Sequence, residues 1–298
     1  MSRYRFGEVS AILISFVSFL QPNITNMKHL MMLLSLVVFV AVGAQTDCGL
    51  QYDGNGDGAV DAMDLLGLLS EYSDTCESAF GCGHPLLFDG YFYGIVQIGE
   101  QCWFKENLRT EHYANGNVIP GGLSNSEWEN AASGAQTVYG EGISDCEGHC
   151  DEVQNLEDYG RLYNWYAVED SRGLCPSGWH VPADGEWMTL EMELGMNEYE
   201  ANATGWRGTD QGTQMKSSAS DTPSWNGTNN SGFSGLPGGF RGSAGHFHDE
   251  NDFGCWWSAS PSGTTSAWFR ELYSFTATVY RNHPNQRIGF SVRCIRDE

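Results

Sequence analysis

Basic residues are scarce in this chain: 15 Lys and Arg stand against 38 Asp and Glu in 298 residues, leaving a net charge of −23. No basic stripe exists that could neutralise a phosphate backbone, which excludes nucleic acid as a partner. Proline is sparse at 9 residues, while glycine is abundant at 37. That balance favours tight turns and irregular loops over long helices. No apolar run reaches the roughly 20 residues of a membrane-spanning helix. The sequence also lacks G-x-S-x-G, H-E-x-x-H and any phosphate-cradling glycine loop, so the common hydrolase, metalloprotease and nucleotide signatures are missing.

What is present points to a folded, exported protein. The chain is 41% hydrophobic and 13% aromatic, far richer than a disordered chain. Its length suits one main domain with attachments. The run LMMLLSLVVFVAVGA, from Leu30 to Ala44, follows Met27, Lys28 and His29 and has the size of a signal h-region. Residues 1–44 are expected to be a signal region, with translation starting at Met27 and cleavage after Ala44. A two-span anchor, using the upstream run VSAILISFVSFL, is the competing expectation. Cys48 lies four residues past Ala44, too far for a lipid-anchored precursor. The mature chain is therefore expected to be secreted or held at the cell surface, without a stable membrane span.

Cysteine usage agrees with export. Nine cysteines in an exported chain read as a disulfide framework with one left over. Spacing suggests Cys48 with Cys76, Cys82 with Cys102, Cys146 with Cys150 and Cys175 with Cys294, leaving Cys255 unpaired; sequence alone does not fix connectivity. A zinc site has one candidate, the stretch from Cys146 through His149 to Cys150, and an oxidising compartment argues against it.

Residues 53–64 read DGNGDGAVDAMD. Calcium takes six to eight oxygens, and a twelve-residue EF-hand loop supplies them from alternate positions. Asp53, Asn55 and Asp57 offer side-chain oxygens, Ala59 its carbonyl, Asp61 a direct or water-mediated contact, and Asp64 closes the site. Gly58 occupies the sharp turn at the sixth position. Leu65, Leu66, Leu68, Leu69 and Tyr72 then recur at helical spacing. The segment 48–76 resembles a single dockerin repeat, implying a Ca2+ site. Dockerins that pair with cohesins carry two repeats, so one copy argues against a cohesin-type partner and for a calcium-stiffened spacer or docking surface.

Beyond a linker at 77–88, residues 86–297 carry a series of landmarks: DGYFYGIVQIGEQCWFKENLRT (89–110), YGRLYNWYAV (159–168), CPSGWHVPADGEWMTL (175–190), GFSGLPGGFRG (232–242), WWSASPSG (256–263) and GFSVRCIRD (289–297). In this order they resemble the Fibrobacter succinogenes major paralogous domain. The resemblance implies a C-type-lectin-like fold related to formylglycine-generating enzymes. The expected class is α+β: a loop-rich module of short antiparallel strands and few helices, preceded by a small EF-hand-like helical segment.

Local patterns support this class. Residues 91–98 alternate as a strand and turn at Gly99 and Glu100 into a second strand at 101–104. Asp184 is expected to N-cap an amphipathic helix over 186–194. Phe290, Val292 and Cys294 alternate as a terminal strand.

Formylglycine-generating enzymes use a reactive cysteine pair near the C-terminus, whereas residues 268–287 here contain no cysteine. The chain is therefore expected not to be an enzyme. Its expected role is a binding or structural module for glycans or a surface protein. The alternatives are a degenerate formylglycine-generating-enzyme-like oxidoreductase and a component delivered to a surface complex by its dockerin-like repeat. The cluster HFHDEND (246–252) reads as a solvated acidic loop rather than a metal site. The Glu-Pro-Asn, Gln-Pro-Asp and Trp-Asn-Asp triplets of calcium-dependent lectins are missing. Most tryptophans are expected in the core; Trp206 and Trp225, in a polar Gly/Asn/Ser-rich segment, are expected at the surface as ligand contacts.

Overall fold

Glycine and alternating apolar residues begin the domain as a run of short strands. A computed structural model describes Cys82 and residues 85–142 and 151–297. The expected signal region, the calcium loop and the cysteines at 48, 76, 146 and 150 lie outside the described residues. β1 (Leu86–Phe88) pairs antiparallel with β2 (Tyr91–Tyr93), and β3 (Ile95–Ile98) pairs with β4 (Gln101–Phe104). The single strand expected over 91–98 is thus two strands. Gly94 breaks it, because its N–H donates to the Glu106 carboxylate (2.7 Å) and its carbonyl accepts from Lys105 N–H (2.8 Å). The turn after β3 is where the sequence placed it, with Gly99 at φ +60°.

Short helices and strands alternate through the middle: α1 (Asn125–Glu129), β5 (Gln136–Val138), α2 (Glu152–Tyr159), β6 (Arg161–Tyr163), α3 (Trp165–Val168) and β7 (Trp179–His180). They are followed by α4 (Asp184–Glu193), α5 (Glu198–Asn202), β8 (Gly205–Arg207) and α6 (Gln211–Met215). The remaining strands are β9 (Gly238–Arg241), β10 (Phe247–Glu250), β11 (Phe253–Pro261), β12 (Ala267–Tyr273), β13 (Val279–Asn282) and β14 (Ile295–Arg296).

The largest sheet has six strands in the order β10-β9-β11-β12-β13-β8, and a four-stranded sheet runs β3-β4-β14-β7. Their pairs are antiparallel except β9 with β11, so the fold is mixed α+β with short helices. Among the described residues, no helix is long and apolar enough to cross a membrane.

The expected terminal strand over 290–294 takes another form. This extended segment bonds to several elements in turn: Phe290 to Tyr163, Ser291 to Cys255 and Trp257, Val292 to Leu108, and Cys294 to Phe104. It threads between sheets instead of forming one ladder, and regular pairing resumes only at β14.

Aromatic residues fill two core clusters. In one, Phe269 stacks on Phe290 (4.7 Å between centroids) and Trp257 packs beside them. In the other, Trp103, Trp187, Phe233 and Trp256 form a chain of ring contacts at 4.9–6.1 Å. Such offset and edge-on pairs contribute beyond their buried area.

Residues of the landmark motifs act as hydrogen-bonding staples in this core. Asn107 Oδ1 accepts from Trp256 Nε1 (2.8 Å) and Arg293 Nε (3.0 Å), while its amide donates to the Tyr159 carbonyl (2.9 Å). Trp257 Nε1 donates to the Tyr163 carbonyl, and Trp165 Nε1 to that of Ser258. Arg293 is fully buried, lies over Phe233 and donates to the carbonyls of Phe104, Phe233 and Ser234. Burial lowers its pKa to about 9. In the LPGGFRG stretch, Gly239 sits at φ +61°, with His248 O only 2.5 Å from where a Cβ would lie, so a side chain there is excluded twice over.

Cys82 bonds to Cys102 and Cys175 to Cys294, as the spacing suggested. Cys255 is free and buried. The two disulfides point to folding in an oxidising, extracytoplasmic compartment.

Candidate functional site

Alternation along β12 and β13 divides the six-stranded sheet into two chemically different faces. Arg270 lies opposite Arg281, and Val279 opposite Arg207. On that face the three arginines turn under α4. Arg270 bonds to Asp184 (2.7 Å) and Glu191 (2.6 Å), Arg281 to Asp184 (2.6 Å), and Arg207 to Glu191 (2.7 Å). Asp184, Trp187, Leu190 and Glu191 share one face of the helix and are all buried.

This arrangement corrects the expected N-cap. Ala183 caps α4, and its N–H donates to the Glu186 carboxylate (2.7 Å). Asp184 is drawn instead into the sheet by the arginines. Burial opposes its ionisation, but Arg281 and Arg270 prevail and hold its carboxyl below the usual range.

The other face carries a different row. Cys255 on β11 pairs with Glu271 on β12, Glu271 with Tyr280 on β13, and Tyr280 with Trp206 on β8. Phe253 pairs with Tyr273 in the next outward-facing row and stacks on it at 4.3 Å. The Trp206 and Tyr280 rings lie 4.9 Å apart, and those of Trp206 and Tyr273 6.3 Å apart. With Phe240 and Asp249, these aromatics and Glu271 line an open cleft of about 460 Å³, a size suited to a small ligand or a few sugar rings. Trp206 is 44% exposed at its rim, and Phe275, 80% exposed, extends the aromatic surface beyond Tyr273.

The cleft's polar groups are acidic. Burial, reinforced by the Asp249 carboxylate, raises Glu271 to about 7. Its one hydrogen bond among the described residues comes from the Cys255 thiol, at 4.0 Å. Burial also pushes that thiol well above its ordinary pKa, with Glu271 and Asp249 adding to the effect. Cys255 is thus held protonated, the opposite of what thiol chemistry needs.

A second concavity, of about 330 Å³, is lined by Val168, Leu174, Trp179 and His180 among others. His180 bridges Glu186 (2.8 Å) and Asp297 (2.5 Å). Burial works against its charged form, but hydrogen bonds to Asp297 and Glu186 outweigh it and raise the pKa. A raised folded-state pKa adds stability that is full below about pH 6.5 and lost as pH rises through the folded value. His180→Asn is therefore expected to lower the melting temperature at pH 5.5 and to match the parent by pH 9. Melting curves across that range check it.

The two tryptophans expected as ligand contacts separate. Trp206 reaches the surface and joins the cleft. Trp225 is buried at 8% exposure in the second core cluster. Its polar loop folds back on itself through bridges of Lys216 with Gly235 and Ser218 with Gly227. The indole then packs inward, with the Lys216 ammonium 5.2 Å above its ring.

The 246–252 cluster is also not a plain loop. Phe247–Glu250 is β10, and Asp249 adopts φ +58° beside the cleft. Its histidines diverge, His246 to Asn125 and His248 to the Phe240 ring. Among the described residues, no three potential metal ligands converge.

Residues 96–296 match the family model of the Fibrobacter succinogenes major domain. The chain belongs to that family. No curated protein matches the sequence. The landmarks of the Fibrobacter succinogenes major domain coincide with the core staples at Asn107, Trp256, Trp257 and Arg293. Of the residues lining the cleft, only Phe240 falls within a landmark motif.

Sequence reading reached Trp206 but missed Phe253, Glu271, Tyr273 and Tyr280. The apolar alternation in AWFRELY (267–273) and VYRN (279–282) marks strands. It carries no register, and register is what brings these side chains together.

Proposed function

We propose that the Fibrobacter succinogenes major domain of this protein is a non-catalytic, extracytoplasmic binding module with a C-type-lectin-like fold, holding glycan chains at the Trp206 cleft. The observation that carries the reading is the run of ring contacts from exposed Trp206 to half-buried Tyr280 and Tyr273, all three lining the open cleft. Flat aromatic faces at an open cleft suit the apolar faces of sugar rings, and such faces are otherwise buried. Glu271 and Asp249 supply acceptors for sugar hydroxyls. The protonated, buried Cys255 argues against an oxidoreductase.

Ahead of the domain, the loop Asp53–Asp64 carries the donor set of a Ca2+ site. We propose that this segment serves as a calcium-stiffened spacer or docking segment. A glycan array probed with the full mature chain, in calcium and in chelator, tests both parts. The expected result is binding to a defined group of oligosaccharides that persists in chelator. Silence in both conditions overturns glycan binding, and binding lost in chelator ties calcium to the ligand site.

A further inference from the structure

The cleft combines aromatic walls with acidic groups and no internal cation. Tyr280 lies directly across the strand pair from Glu271, and Tyr273 lies two residues along on the same face. Trp206 and Phe253 stand one position further out in their rows. Asp249 enters from β10, and among the described residues no Lys or Arg lines the cleft. A carboxylate set among aromatic faces is the arrangement that attracts an organic ammonium group, whose positive charge meets ring quadrupoles and a counter-charge together. The chain's net charge of −23 favours the approach of such a cation.

We propose that the cleft contains a subsite for an organic ammonium group, so that its ligand carries a protonated or quaternary amine. The proposal rests on the cleft being the ligand site. It adds a charge requirement that glycan stacking alone does not impose.

The titratable groups facing Glu271 are Asp249 from β10, Cys255 from β11, Tyr273 from its own strand and Tyr280 from β13. With Glu271 raised to about 7, the carboxyl is neutral in mild acid and charged in mild base. A cation that binds beside it favours the ionised form, so affinity rises as pH rises through neutrality.

The test uses choline and its uncharged carbon isostere, 3,3-dimethylbutan-1-ol, titrated into the full mature chain and followed by NMR. Choline keeps its charge at every pH used. Choline is expected to bind at least ten-fold more tightly than the isostere at pH 8, and to lose most of that preference at pH 5.5. Glu271→Gln, which mimics the neutral acid, and Asp249→Asn, which suits the positive φ, are each expected to weaken choline binding at pH 8 and leave the isostere unchanged. Equal binding of the two probes, or no choline binding at pH 8, overturns the subsite. Either result leaves glycan binding standing if the array is positive. A silent array with choline bound at the cleft would instead remove the glycan reading and keep the subsite.

Discussion

Replacing Cys175 and Cys294 together by serine is expected to lower unfolding stability by about 4–5 kcal/mol. The bond closes a separation of 119 residues, and the entropy a cross-link removes from the unfolded chain grows with the loop it closes. It also joins the segment just before β7 to the extended chain leading into β14, so its loss loosens the two adjacent strands at one edge of the four-stranded sheet. The Cys82–Cys102 bond closes a separation of only 20 residues, for which the same relation gives about 3 kcal/mol. Urea unfolding of the two double-serine variants checks both the size and the order. A loss below about 1 kcal/mol for the longer bridge would contradict the account.

Glu191→Ala is expected to cost about 3–5 kcal/mol, as removal of one partner from a buried ion pair does elsewhere. Glu191 is fully buried and bonds to both Arg207 and Arg270. Arg270 keeps Asp184 when Glu191 is removed, but Arg207 keeps only its bond to the Val279 carbonyl. The penalty is therefore mainly that of a guanidinium left in the core without its counter-charge. Replacing Arg207 by Met in the same chain should recover much of the loss. Additive losses in that double-mutant cycle would contradict the pairing. The same cluster gives an acid limit. Asp184, with its pKa lowered, adds stability that is present above about pH 4 and is lost as pH falls through its folded value.

The parts of the fold legible in the sequence were those governed by local pattern or by ordered motifs. The β3–β4 hairpin turned at Gly99, helix α4 lay near its expected span, and both describable disulfides followed the spacing argument. What failed did so because distant residues decided it. Asp184 is a good N-cap by type, yet Arg270 and Arg281, more than 80 residues away, draw its carboxylate inward. Trp225 sits in a polar segment, yet that segment closes on itself and buries the ring. Phe290–Cys294 alternates like a strand, but its hydrogen bonds go to several elements in turn.

The site was the least legible part. Its row from Cys255 through Glu271 and Tyr280 to Trp206 exists only through the register of four strands. The landmark motifs describe the scaffold: Asn107, Trp256, Trp257 and Arg293 satisfy buried polar groups and fill the core. Apart from Phe240, the cleft is built from residues between those motifs, so the sequence identifies the family more readily than it identifies what this member binds.

The most direct test is calorimetric titration of an oligosaccharide selected by the array into the parent chain and into Trp206→Ala. About a ten-fold or greater loss of affinity is expected, with a melting temperature that barely moves because the indole sits at the rim. Unchanged affinity would show that the ligand binds elsewhere and would contradict the assignment of the cleft.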